Sequence, residues 1–208
     1  MPKIIVTCED FNPSVIPIWV STWDKLKQKH PSLKVTAFTV PLYQKRMEND
    51  VFHNKDFQAW FKERKEWVEI AQEGYGQRNK LECKRFKKPQ YFILRKGYRK
   101  IGVYMPKNYY SFKCPDDKMG SSTLDSLKML GFSSCMFQGQ IIILINLEKQ
   151  LEDHIIIGSH INLDERNPDD IQQIQHKLDD YFTKLELEGN DYMTISELIS
   201  LSKEEIII

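Results

Sequence analysis

Three stretches of this sequence place ionisable or nucleophilic side chains where a strand-like run gives way to a loop. They are Cys8-Glu9-Asp10, Lys113-Cys114-Pro115-Asp116 and Ser159-His160-Ile161-Asn162. A fourth stretch holds Glu73 and Gln77 around Gly74. In a β/α architecture the residues that work on a ligand sit at such strand ends. Carboxylates, an ammonium, a thiol and an imidazole gathered there would supply cation ligands and groups able to move a proton. Each cluster also has a structural reading. Glu9 and Asp10 would make a turn and a helix cap. His160, on an apolar strand, would be a hydrogen-bonded core histidine. Lys113 would pair with Glu9 or Asp10 and fill a cation position with its ammonium. Cys8 and Cys114 would approach each other across strand ends, although their spacing does not define a thiolate metal site.

The elements that must carry these residues follow from periodicity. Residues 3–10 and 33–40 read as strands, and 15–30 as a helix ended by Pro31. Residues 56–71 read as one helix with Phe57, Trp60, Phe61 and Val68 on its apolar side. Residues 91–105 read as basic strands with a hairpin at Lys96-Gly97. Strands are expected at 109–114, 134–138, 141–146, 155–161 and 192–195. Helices are expected at 123–130 and from Pro168 to the stop at Gly189, with a short turn at 196–199. Strands alternating with helices favour parallel β/α units over a sandwich or bundle.

With 208 residues the chain can bury one sizeable core, and no internal repeat or linker divides it. One domain over 1–208 is expected, with a basic hairpin-like insertion around 78–107. No apolar run approaches the ~20 residues that span a bilayer, and the first residues enter a strand without a signal-peptide pattern. A cytoplasmic protein with no membrane partner is the expectation. The four cysteines contain no CxxC pair, so they are expected as reduced thiols, with Cys83 and Cys135 as small buried hydrophobes. His30, His53 and His176 are expected on the surface or in loops.

In order and context the motifs resemble those of the polysaccharide deacetylases, the NodB-homology family, along nearly the whole chain. Thr7-Cys8-Glu9-Asp10 is similar to the first motif and its adjacent acids. The run from Trp67 to Gln77 is similar to the second motif, His-Gly-x-x-His, with Glu73 and Gln77 at the two histidine positions. Phe112-Lys113-Cys114-Pro115 and the helix after it resemble the third motif, and the strand before His160 resembles the last catalytic strand. The resemblance implies a distorted, incomplete (β/α) barrel. It implies Asp10, Glu73 and Gln77 as metal ligands, Glu9 as general base and His160 as general acid. Lys113, Cys114, Pro115, Arg78 and Arg85 would contact the ligand. In that family a divalent metal polarises an acetamide carbonyl and acidifies a water. An all-oxygen set of Asp10, Glu73 and Gln77 would favour Mg²⁺, Ca²⁺ or Mn²⁺ over Zn²⁺, and Glu9 in place of aspartate moves the base one methylene outward. The departures point to a degenerate protein that binds a glycan-like or anionic ligand. The alternative is an active deacetylase of an N-acetylated sugar with an unusual metal set.

Charge supplies a third reading. The net charge is +1, yet residues 78–107 hold 11 Lys/Arg and one acid, while the remainder holds 19 basic and 28 acidic residues. Aromatic residues are interleaved with these cations. Such a stretch is either a solvated face balancing an acidic remainder or a surface for an anionic partner, nucleic acid included. No phosphate-loop or Rossmann glycine pattern occurs.

Overall fold

The structure is a computed structural model that describes residues 3–76, 82–84, 87–144, 154–159 and 168–204. Among the described residues eight strands form one sheet: β1 Lys3–Phe11, β2 Val35–Thr39, β3 Val68–Glu73, β4 Tyr110–Lys113, β5 Phe132–Phe137, β6 Gln140–Ile143, β7 His154–Ser159 and β8 Asp191–Met193. The path runs β6-β5-β4-β3-β2-β1-β7. All pairings are parallel except β5 with β6. β7 lines one edge of β1 from Lys3 to Cys8. The other edge is shared in tandem: β8 takes Lys3–Ile5 and β2 takes the far half. Among the described residues β6 and β7 do not pair, so the curled sheet is an incomplete (β/α) barrel. Parallel strands covered on both faces explain why β2 and β3 are buried along their whole length.

Seven α-helical segments accompany the sheet: α1 Ile16–Trp19, α2 Lys25–Lys29, α3 Lys55–Arg64, α4 Lys87–Ile101, α5 Thr123–Met129, α6 Pro168–Leu187 and α7 Ile195–Glu204. A π-turn, Val20–Asp24, joins α1 to α2. The alternation of side chains along the strands sorts the core into two clusters. Ile4, Val6, Cys8, Val35, Ala37, Ile70, Phe112 and Cys135 face the helices. There Phe11, Trp19 and Trp60 pack edge-to-face or tilted with centroids 4.6–5.1 Å apart. Ile5, Phe38, Ala71 and Met136 face the barrel interior, plugged from below by Met193, Ile195, Leu198 and Ile199.

Two expected elements are corrected. Residues 56–71 are a helix ending at Arg64 followed by strand β3. The stripe of Phe57, Trp60 and Val68 spans both elements and imitates one helical face. Residues 91–105 hold no hairpin: α4 runs through Lys96-Gly97. Gly97 is there for space. A Cβ on it would lie 2.3 Å from Nε2 of Gln72, whose amide donates to the carbonyls of Gly74 (2.8 Å) and Leu94 (3.1 Å). Gly97→Ala should therefore destabilise the protein by about 1–3 kcal/mol in urea titration, where an open helical site would gain about 0.5–1 kcal/mol. The closing turn at 196–199 is extended into α7. The β5–β6 connection is a two-residue hairpin with Gln138 and Gly139 both at positive φ, the requirement of a type I′ turn.

Candidate active site

The parity that separates the two core clusters also decides which predicted residues meet. Glu9 lies two pairs beyond Ile5, Glu73 one pair beyond Ala71, and Lys113 sits opposite Glu73 in register. All three therefore share the interior face at the carboxyl ends of β1, β3 and β4. The contacts agree. The Asp10 amide N–H donates to Oε2 of Glu73 at 2.7 Å. Nζ of Lys113 lies 3.3 Å from Oε1 of Glu9 and donates to Oδ1 of Asp117 at 2.7 Å. Lys113 is 1% exposed, Glu73 2% and Glu9 7%. Ser159 lies opposite Cys8, so the strand preceding the third polar cluster ends at the same rim. His160, Gln77, Arg78 and Arg85 lie outside the described residues.

The backbone around the site is bent to bring these groups in. Asp10 adopts a left-handed φ of 56°, uncommon for a residue with a side chain and typical of functional strand ends. Gly74 is also left-handed, and a Cβ there would lie 2.5 Å from Pro115 and 2.6 Å from the Glu82 carboxylate. Pro115 thus supports the turn of the second motif by packing. Glu82 holds that turn by accepting from the amides of Tyr75 (2.7 Å) and Gly76 (3.1 Å). Neither Glu82 nor Asp117 was singled out by the sequence reading as a site residue. For Asp117 the available signal was its i+4 spacing from Lys113; Glu82 stood out only as the single acid of a basic stretch.

Burial dominates the electrostatics. It pushes the Glu73 carboxyl well above the ordinary range, and the charge of Asp10 adds to this; the Asp10 amide and the Lys113 ammonium oppose it without prevailing. Burial alone would lower Lys113, but the hydrogen bond to Asp117 and the charge of Glu9 outweigh it and hold the ammonium above its usual range. The rim thus carries a fixed internal cation, clasped by Glu9 and Asp117, beside a carboxyl that favours its neutral form.

Two cysteine expectations are corrected. Cys114 follows Lys113 and so points to the opposite face, into the helix-side core with Cys83 and Cys135. Its thiol is drawn down by hydrogen bonds from Cys135 and Cys83, while those two thiols are pushed up. Cys114 is therefore no contact for a ligand in the barrel. Cys8 lies three strands from Cys114, about 14 Å at ~4.8 Å per strand, so the two do not approach. His30 is corrected as well. It is 2% exposed, and its ring nitrogens face Glu186 and Asp179 at 3.0 Å each, tying the end of α2 to α6.

The described residues do not by themselves assemble a divalent-metal site, and Gln77 lies outside them. Among the described residues no group of three or more His, Cys, Asp or Glu side chains could hold a metal ion. Glu73 is biased towards a neutral carboxyl, and Lys113 brings a positive charge against the carboxylate expected to serve as base.

No family model and no curated protein matches the sequence. Solved structures match the fold. The Xyl-CE4 domain of a multidomain xylanase from the hindgut metagenome of Trinervitermes trinervoides aligns with a TM-score of 0.61 at 14% identity, over 97% of this chain and 91% of that one. A family 4 acetyl xylan esterase from Clostridium thermocellum, in complex with a cobalt ion, aligns at 0.60 and 14%, over 96% and 91%. A CE4-family pseudoenzyme from Bacillus anthracis aligns at 0.55 and 13%, over 95% of this chain and 65% of that one. The fold is that of the CE4 polysaccharide deacetylases, in divergent form. Among the described residues no helix is long and apolar enough to cross a membrane.

Proposed function

We propose that this protein is a deacetylase-fold binding protein: it takes a glycan-like or anionic ligand at the strand-end rim and does not carry out metal-dependent hydrolysis. One observation carries the reading. The buried ammonium of Lys113 lies 3.3 Å from Glu9 and 2.7 Å from Asp117, so an internal cation already neutralises Glu9, the carboxylate on which the family's chemistry would rely as base. A divalent ion brought to Asp10 and Glu73 would meet that charge. Support also comes from the second motif, where both imidazoles are replaced, and from a similar fold that is described as a pseudoenzyme.

The test combines metal analysis of the purified chain with acetate release and calorimetric binding, using N-acetylated chitooligosaccharides. The expected outcome is binding without acetate release and without stoichiometric metal. Acetate release that disappears in both Asp10→Ala and His160→Ala, with about one metal per chain, would establish the active-enzyme alternative instead. Absence of binding together with absence of turnover would remove the glycan part of the proposal.

A further inference from the structure

The basic segment that was expected as a hairpin is α4, and its helical geometry sorts the cations onto one side. From Lys87 to Lys107 there are seven Lys/Arg and no Asp or Glu. Gln90, Leu94, Gly97 and Ile101 are buried against the barrel, whereas Lys88, Phe92, Arg95, Lys96 and Arg99 are exposed. At 100° per residue these five fall within an arc of about 100° and extend about 16 Å along the helix. Lys100, on the flank, pairs with Asp50. The four outward cations make no ion pair among the described residues. They are accompanied by apolar surface. Phe92 is 49% exposed and Val103, in the turn after α4, 71%; Met129, at the end of the adjoining α5, is 61% exposed beside exposed Lys128. Hydrogen bonds from Gln90 to Thr123 and from Ser122 to Gln90 dock α5 against α4.

We propose that this outer face of α4 is a peripheral docking surface for an anionic lipid bilayer. The pattern decides between polyanions. A nucleic-acid backbone rewards the cations and could stack on Phe92, but it offers nothing to Val103 or Met129. A phospholipid surface rewards both classes: phosphates and anionic headgroups meet the lysines and arginines, and the apolar side chains enter the headgroup boundary. The shape agrees, since the face is the convex outer side of a helix packed against the barrel, which fits a plane better than a strand that needs a groove. The expectation of no membrane partner rested on spanning length, and peripheral docking needs no spanning helix. The surface is separate from the strand-end rim, so the proposal stands apart from the function proposed above.

Sedimentation of the full chain with vesicles tests it. Binding is expected to vesicles of 60% phosphatidylcholine and 40% phosphatidylglycerol, to fall steeply between 50 and 300 mM salt, and to be weak on pure phosphatidylcholine. A cation at an anionic leaflet contributes roughly fivefold in partitioning, so Lys96→Gln with Arg99→Gln should reduce binding by about 25-fold while leaving the thermal midpoint in place. Phe92→Trp should give an emission blue shift on the anionic vesicles, and Phe92→Ser should weaken binding. Equal binding to neutral and anionic vesicles, or no binding to either, would overturn the proposal. So would tighter binding to a 20-mer of single-stranded oligothymidylate with Val103→Ser and Met129→Ser without effect on vesicles, which would assign the face to nucleic acid.

Discussion

Lys113→Met is expected to lower the stability of this protein by about 3–5 kcal/mol at pH 7, the cost of removing one member of a buried ion pair. The side chain of Lys113 is 1% exposed and that of Glu9 8%, so loss of the ammonium takes the counter-charge away from a buried carboxylate. Asp117 is 25% exposed and would be partly rescued by water. Methionine keeps most of the length and apolar volume, so little of the loss would come from a cavity. Two controls separate charge from packing. Adding Glu9→Gln to Lys113→Met should recover much of the stability, because the buried charge that Lys113 balanced is gone. Urea titration at pH 4 should show a smaller difference between Lys113→Met and the parent than at pH 7, since the loss requires an ionised carboxylate beside position 113. A neutral Lys113→Met at pH 7 would mean that the ammonium is not the counter-charge of this site, and the argument against metal binding would lose its main support.

How far the site was legible follows from the same residues. The parallel β/α plan could be read from β1, β2 and β7, because their β-branched runs look like nothing else, and β1 and β2 are buried on both faces. The convergence of Glu9, Asp10, Glu73 and Lys113 could be read because strand ends are where such a barrel gathers polar groups. β3 was hidden by its content. Glu69, Gln72 and Glu73 are buried carboxyl and amide groups in a central strand, and polar residues there break the apolar run that identifies such strands. Their burial is sustained by partners far away in sequence: Glu69 by Ser196, Gln72 by the Leu94 carbonyl, Glu73 by the Asp10 amide. Local pattern carries no trace of these. α4 was misread for the opposite reason. Its Tyr, Phe and Ile residues and its central glycine have strand and turn character, and tertiary packing of Leu94, Gly97 and Ile101 overrides that propensity. Cys114 was misplaced by one residue of phase: in a strand, adjacency to Lys113 means the opposite face.

The helix-side and interior faces also divide what the molecule can tolerate. At the carboxyl ends of the strands, buried charge is balanced by Lys113. At the other end, on the same interior face, Glu69 is met by neutral donors among the described residues. It accepts hydrogen bonds from the Ser196 amide at 3.1 Å, from the Ser196 hydroxyl and from Thr36 Oγ1 at 3.3 Å. It thereby fixes the start of α7, which has its own capping box between Thr194 and Glu197. These neutral donors favour the carboxylate, but burial acts more strongly in the other direction and raises Glu69 from 4.5 to about 7.

Glu69 should consequently make the stability of this fold fall as pH rises. Between pH 4.5 and 7 the folded chain keeps a proton that the unfolded chain has released, so the favourable contribution is complete below pH 4.5 and is lost as pH passes 7. At 1.36 kcal/mol per pH unit the shift corresponds to about 3 kcal/mol. Glu69→Gln, which keeps the shape, has one carbonyl acceptor and an NH2 donor much as the protonated acid has a carbonyl and an O–H, and cannot ionise, is expected to match the parent near pH 4.5 and to exceed it by up to about 3 kcal/mol at pH 8. The difference between the two proteins is the quantity to measure by urea titration across this range. Other groups act with the opposite sign: Asp179, lowered first by Lys29, and Asp50, lowered by its bonds to Lys100 and His53 against its own burial, contribute stability that is lost towards acid. Both remain in the parent and the variant, so their effects cancel in the difference. A gap that does not change between pH 4.5 and 8 would show that Glu69 is ionised throughout, and that the hydroxyl and amide donors at the head of α7 solvate it as well as water does.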